Sequence, residues 1–364
     1  MKYLIILILF SSCVDKNLVG NDLEFRTAKM TKSQLREDYD FLSDENFKNK
    51  LSESLESPLM FYRSFPISYY KDIKLVESAK EGICLGDGHI DNFGFILFEK
   101  DTKYLFNDLD DSGLCPLPLD ALRYFSSLHF FSLSNDQIQN LISYYIAHLD
   151  GTPDVPDMPA SLVEDLEKKR LKNLKKHTID YHFILDDEVI ATSNELKTKI
   201  SEVVVEKFSA VKVYDVATYL KDDGGSGGLN RYWVLVEDQA SQFDIIELKQ
   251  RATPATLFST TSQTPLELTS LAKNIWGELP VYFEEIELNE KQYQVRSRTK
   301  EDINLNKVDA DAREAVLKIQ VAFMARHHKL YEAQNDRRSS EWFYLNSKLI
   351  AKRFLQAFEE LKLK

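Results

Sequence analysis

Between two apolar runs the chain inserts nine residues, Gly86-Asp87-Gly88-His89-Ile90-Asp91-Asn92-Phe93-Gly94. Asp87 and Asn92 are too close in sequence to sit on separate elements, so they share one loop. Phe93 to Phe98 then reads as a strand, Lys100 to Lys103 as a turn, and Tyr104 to Phe106 as a returning strand that ends at Asn107-Asp108-Leu109-Asp110-Asp111. A hairpin brings its two ends together. The pattern therefore predicts Asn92 and Asp108 side by side, with Asp87 close by. Oxygen ligands of this kind suit a hard cation such as Mg²⁺, which takes one or two carboxylates plus phosphate oxygens. A separate carboxylate can take a proton from an attacking hydroxyl. Asp87 is thus the candidate base. Asn92 and Asp108 are the candidate metal ligands, with Asp110 either a further ligand or a solvated neighbour. Asp91 and Asp111 read as solvated turn residues. His89 has no histidine partner at helical spacing and reads as a residue that orients the loop. His327 and His328 are adjacent and point to different faces of a helix, so neither is expected in catalysis.

A second polar interruption lies far downstream. Val211 to Leu220 and Arg231 to Glu237 are strand-like, and between them stands Gly224-Gly225-Ser226-Gly227-Gly228. Glycine allows backbone N–H groups to approach phosphate closely. No Gly-Lys-Ser/Thr follows and a strand, not a helix, comes next, which excludes the P-loop and dinucleotide-binding patterns. A strand, glycine loop and strand followed by Lys249 at the end of a third strand, Ile245 to Leu248, is the arrangement of a kinase nucleotide lobe. Such a lysine is held by a helix glutamate. The helix expected over 264–279, opened by a capping box at Thr264-Pro265-Leu266-Glu267, offers Glu267 or Glu278. Arg296 closes a hairpin and faces either nucleotide or solvent.

At 364 residues the chain exceeds one core, at about 150 residues per domain. Gly151 to Pro159 is its clearest break. Before it lie the acidic loop and helices over 119–149. After it come a charged helix, 160–176, the strand-rich glycine-loop region, a long amphipathic helix over 310–333 and a last helix from 340. The net charge of −12 repels a phosphate backbone, and no basic stretch is dense enough to argue for nucleic acid. Lys2, the apolar run Tyr3 to Phe10 and Ser11-Ser12-Cys13 read as a signal segment too short to span a bilayer. The segment resembles a bacterial lipoprotein signal with Cys13 as the lipidated residue. That resemblance implies a membrane-anchored protein on the extracytoplasmic side. Cys84 and Cys115 lack zinc-site spacing. They read as buried free thiols rather than ligands, and a disulfide between them cannot be read from sequence.

The acidic loop resembles the His-Gly-Asp-x-x-x-x-Asn loop of aminoglycoside-phosphotransferase-type kinases, with Leu85 in place of the histidine. Here the catalytic-type loop precedes the glycine loop, the reverse of the ordinary kinase order. The chain therefore resembles an α+β, two-lobed protein-kinase-like fold that is circularly permuted, an arrangement physics tolerates when termini lie at the surface. Ser57-Pro58-Leu59-Met60-Phe61-Tyr62-Arg63, the Asp87 loop, Asn107 to Asp111 and Pro118-Leu119-Asp120-Ala121-Leu122-Arg123 resemble the bacterial domain-of-unknown-function 2252 family. By that resemblance Arg63, Asp120 and Arg123 are motif residues, with buried ion pairing beneath the loop as the expected role. The family carries Lys-Glu-Ala where this chain has Lys249-Gln250-Arg251-Ala252. The expected organisation is a signal and tether over 1–22, a helical lobe over 23–205, a β-rich nucleotide lobe over 206–309, and C-terminal helices over 310–364 returning to the helical lobe. The resemblance implies an ATP- and Mg²⁺-dependent phosphotransferase of unknown small-molecule or protein acceptor. The alternatives are a non-catalytic lipid-anchored binding protein, a nucleotidyl transferase and a metal-dependent hydrolase. The last leaves the glycine loop and Lys249 without a role.

Overall fold

The computed structural model describes residues 23–363, apart from 28, 29, 152, 165, 210, 222, 223, 263, 299, 300 and 337. Cys13 and the signal segment lie outside the described residues. The architecture is α+β. One large core joins helices from both ends of the chain. Leu117–Leu128 is a helix with every residue buried, which places it at the centre. Asn135–Asp150, started by a capping box at Ser134 and Gln137, packs beside it. The long helices Ala310–Lys329 and Ser340–Lys362 return to the same core through Val316, Val321, Ile350 and Phe354.

The second body is a six-stranded antiparallel sheet. From edge to edge its strands run Glu284–Leu288, Lys291–Ser297, Phe243–Gln250, Arg231–Glu237, Lys212–Tyr219 and Val189–Ala191. Alternation along Arg231–Glu237 divides its two faces. Tyr232, Val234 and Val236 pack under the helix Asn194–Lys207 through Ile200 and Val204. Trp233 and Leu235 face the other way, onto Phe183 and Val189.

Two expectations fail here. The helix expected over 264–279 is Leu268–Trp276 only; Glu267 is its N-cap residue, without a side-chain cap bond, so the capping box is not made. That helix buries Leu268, Leu271 and Ile275 in the large core and meets the sheet only at its edge strand Glu284–Leu288, where Leu268 N donates to Glu285 at 3.1 Å; Trp276 Nε1 donates to the Phe106 carbonyl at 2.7 Å. The expected free thiols are also corrected. Cys84 and Cys115 form a disulfide, with Cα atoms 5.8 Å apart. The reason is a strand Gly113–Pro116, unread in the sequence, that pairs antiparallel with Glu81–Cys84 and brings the two cysteines within bridging range. Among the described residues no helix is long and apolar enough to cross a membrane.

Candidate functional site

The acidic hairpin forms as its pattern implies. Phe93–Leu97 pairs with Thr102–Phe106 in the register Phe93↔Phe106, and Asn107 N donates to the Asn92 carbonyl at 3.1 Å. The loop before it is fixed from beneath by Asp120, which is fully buried. One Asp120 oxygen accepts from Leu85 N at 2.8 Å, the other from Gly86 N at 2.9 Å. His328 Nε2 sits 2.9 Å from the same carboxylate, and its Nδ1 lies 2.8 Å from the Tyr145 hydroxyl. Gly86 has φ +82°, and a Cβ there would fall 2.0 Å from the Asp111 carbonyl oxygen, so only glycine lets the two halves of the hairpin close.

Asp87 stands at the floor of the cleft. Arg123, wholly buried among Tyr62 and Tyr69, donates Nε to Asp87 Oδ1 at 2.9 Å and adds a second bond from Nη2. Burial raises the Asp87 pKa, but the guanidinium and the neighbouring His89 outweigh it and hold the carboxyl well below its usual range. The second oxygen, Oδ2, lies 3.4 Å from His89 Nε2. His89 Nδ1 accepts from Asp91 N at 3.2 Å, the orienting role its lone occurrence implies. Asn92 Nδ2 donates to the Asp87 carbonyl at 3.0 Å. Arg63 pairs with Asp91 at 3.2 Å, a carboxylate that the sequence reading left to solvent.

Across the cleft, Lys249 is almost fully buried and meets the far end of the hairpin. Its Nζ donates to Asp108 Oδ2 at 2.7 Å and Oδ1 at 3.0 Å, and it forms an ion pair with Asp110. Burial raises the pKa of Asp108, but Lys249 and then Arg296 pull it far below the ordinary carboxylate range. For Asp110 burial prevails and its pKa is raised. Asp111 is pushed up to about 7 by burial and by the charges of Asp87 and Asp110. Its Oδ1 accepts from Ala255 N at 2.9 Å, so it is a structural residue and not a solvated one.

Among the described residues no helix glutamate holds Lys249. Glu267 bonds Thr269 and Ser270, and Glu278 pairs with Lys103. The buried glutamate of the cleft is Glu247, two residues before Lys249 on the same strand face. It accepts from Arg231 Nη1 at 3.0 Å, Arg296 Nη2 at 2.8 Å and Trp233 Nε1 at 3.3 Å. Arg296 therefore faces the cleft, with Nη1 4.0 Å from Asp108. Sequence reasoning missed Glu247. The available signal was a charged residue inside Phe243–Gln250, a strand otherwise apolar through Ile245, Ile246 and Leu248.

The glycine loop closes over the acidic loop. Gly224 and Gly228 have φ of +74° and +82°. Gly227 N and Gly228 N donate within the loop, to the Gly224 and Lys221 carbonyls. An added Cβ at Gly225 would lie 3.4 Å from Asp87 Oδ2, so the loop tip stands in contact range of that oxygen. Ser226 Oγ accepts from Arg231. Lys50, buried on the helix Asp44–Ser54, donates to the carbonyls of Gly224 and of Gly225, the latter at 2.8 Å, and Asn46 Nδ2 donates to the Gly228 carbonyl at 2.8 Å. These two residues clasp the loop to the helical part. Asp87, Asn92, Asp108, Asp110, Gly224, Gly225, Ser226 and Lys249 all line one cleft. Gly227, Gly228, Asp120 and Arg123 stand behind its wall.

Mg²⁺ is tested by the donor set. Among the described residues no three His, Cys, Asp or Glu side chains converge as a metal cage. Two carboxylates and an amide are present; Asp110 Oδ2 is taken by Lys249, and its buried Oδ1 accepts no hydrogen bond. That set fits a magnesium ion that takes its other ligands from phosphate and water.

Residues 43–149 match the model of a family described as an uncharacterized protein conserved in bacteria, DUF2252. The matched stretch holds Arg63, Asp87, His89, Asn92, Asp108, Asp110, Asp120 and Arg123, and the glycine loop and Lys249 fall beyond it. No curated protein matches the chain. No solved structure matches it either.

Proposed function

We propose that the cleft binds a nucleoside triphosphate with Mg²⁺ and transfers a phosphoryl group, on a two-lobed, circularly permuted kinase-like fold. The observation that carries this reading is the meeting of Lys249 with Asp108 at 2.7 Å, in the same cleft as Asp87 and under the glycine loop. Phosphoryl transfer asks for positioned cations, metal-binding oxygens and a carboxylate near the nucleophile. Lys249 would hold the phosphates, with the backbone of Gly224, Gly225 and Ser226 above them. Asn92, Asp108 and Asp110 would hold the magnesium ion, whose charge offsets that of the phosphates. Asp87, kept ionised by Arg123, would orient the acceptor hydroxyl and take its proton through Oδ2, the oxygen Arg123 leaves unshared. The closed ion pair of Lys249 is then a resting arrangement: ammonium and carboxylates turn to phosphate and cation when these bind.

A second reading has its own support. Structural disulfides persist mainly in oxidising compartments, where ATP is scarce, and Cys84–Cys115 brackets the whole acidic loop. This supports an extracytoplasmic protein and a kinase-like domain that binds without transferring. The test is thermal stabilisation of the full chain by ATP with Mg²⁺, followed by release of labelled γ-phosphate. Stabilisation and transfer, both lost in Asp108→Ala, support the first reading. Stabilisation without transfer supports the second. Release of pyrophosphate instead would assign nucleotidyl transfer, and no stabilisation at all would overturn the nucleotide site.

A further inference from the structure

Far from the cleft, the helix Leu166–His177 reads LEKKRLKNLKKH, six basic residues in a chain whose net charge is −12. At 100° per residue Lys168, Lys169, Lys172, Lys175 and Lys176 fall within an arc of about 120°, and all five are exposed. Arg170 is on the inner face, 3.8 Å from Asp244, and Leu174 packs against the cluster of Phe183 and Trp233. The helix is thus seated by one face and presents lysines on the other, with Leu171, 43% exposed, at their margin.

The chain runs from this helix directly into a small hairpin, Thr178–Ile179 paired with His182–Phe183. Ile184 N donates to the His177 carbonyl at 2.8 Å, which folds the hairpin back onto the lysine-rich end of the helix. Among its side chains, Ile179, Tyr181 and Leu185 are 62%, 58% and 55% exposed and Ile184 is exposed beside them, with the exposed polar residues Asp180 and His182 between. The two turn residues, Asp180 and Tyr181, have φ of +48° and +66°. Such a turn favours Asn-Gly, and a bulky residue there is strained. Tyr181 is held in place by stacking on Tyr214, with ring centres 5.0 Å apart. Of the acids that follow, Asp186 accepts through Oδ1 from Glu188 N and Val189 N, and Asp187 and Glu188 are exposed.

We propose that the lysine face of Leu166–His177 and the apolar hairpin tip 179–185 together form a docking surface for an anionic lipid bilayer. Clustered lysines are drawn to anionic headgroups, and aliphatic and aromatic side chains next to them enter the headgroup boundary. A nucleic acid would satisfy the lysines but leave Ile179, Tyr181, Ile184 and Leu185 uncovered. With the rest of the chain strongly acidic, this surface also fixes which side turns to the membrane.

The test is flotation of the full chain with vesicles of phosphatidylcholine, with or without about 30% phosphatidylglycerol. The difference between the two vesicles is the readout, since any binding by the N-terminal apolar segment is common to both. Binding to the anionic vesicles is expected to be tighter, to weaken at high salt, and to fall by about a hundredfold when Lys169, Lys172, Lys175 and Lys176 are all changed to Gln. Tyr181→Gly relieves the positive φ, keeps the fold, and is expected to weaken binding by about fivefold. Tyr181→Trp is expected to be quenched by brominated anionic lipid. Equal binding to both vesicles, an unchanged four-lysine variant, or an unquenched tryptophan overturns the proposal.

Discussion

Replacing Lys249 by Met keeps the length of the side chain and removes its charge. Lys249 is 1% exposed and is shared by two carboxylates, Asp108 and Asp110. Breaking a buried pair by removing one partner costs about 3–5 kcal/mol, because the remaining charge stays desolvated. Here Asp108 is 26% exposed and keeps Arg296 at 4.0 Å, so the lower end is expected at pH 8. The pH dependence separates this cause from simple loss of packing. In the native protein the folded pKa of Asp108 lies below its unfolded value, so the pair's contribution is present above the unfolded pKa and is lost as pH falls through the folded one. In the variant, burial and mutual repulsion raise the folded pKa of the two carboxyls above the unfolded value. The variant is then least stable at neutral and higher pH and recovers as pH falls and one carboxyl takes a proton. Urea unfolding followed by tryptophan fluorescence at pH 8 and pH 5 measures both chains. The gap between them should shrink by more than half at the lower pH. Mg²⁺ adds an independent arm, since the freed carboxylates are expected to bind it: at tenfold its dissociation constant it would restore about 1.4 kcal/mol to the variant. A stability gap that does not change with pH would refute the charge argument, and a variant indifferent to Mg²⁺ would remove Asp108 and Asp110 as metal ligands.

Other consequences can be measured directly. Changing Cys84 and Cys115 together to Ala opens a loop set by their separation of 31 residues, for an expected loss of about 3.7 kcal/mol, read as a lower urea midpoint that reduction of the native chain should reproduce. Gly86→Ala meets both a positive φ and the Asp111 carbonyl, and is expected to cost more than about 4 kcal/mol, seen as loss of soluble folded protein, whereas Gly277→Ala, with open space around it, should cost far less. His327 is held neutral, its pKa lowered to about 4 by burial and by His328. Its folded pKa lies below the unfolded value, so stability is complete above about pH 6.5 and is lost as pH falls toward 4, by up to about 3 kcal/mol, a slope that His327→Gln should flatten in acid titration of unfolding.

The parts of the molecule that were legible in the sequence are those written in local pattern. Arg231–Glu237 and the Phe93–Phe106 hairpin announce themselves by apolar runs bounded by turn residues, because a strand's side chains follow a period of two whatever lies beyond it. Even the convergence of Asn92 and Asp108 needed only one hairpin. What stayed hidden depends on pairing across long separations. Cys84 meets Cys115 through a four-residue strand too short to show periodicity. Lys50 lies in a polar helix, DENFKNKLSES, where a lysine reads as solvated, and is buried between the Tyr39 and Phe65 rings and the carbonyls of the glycine loop 174 residues away. A helix glutamate is the expected partner of Lys249 only because the kinase arrangement pairs such a lysine with one. The helix Leu268–Trp276 sits beside the edge strand Glu284–Leu288, while Glu267 is held by Thr269 and Ser270 and Glu278 by Lys103. Lys249 then takes the hairpin carboxylates as its anions, and Glu247 is left to Arg231 and Arg296. The charge pairing of the cleft thus follows from the register that sets Arg231 opposite Lys249 and Arg296 opposite Glu247.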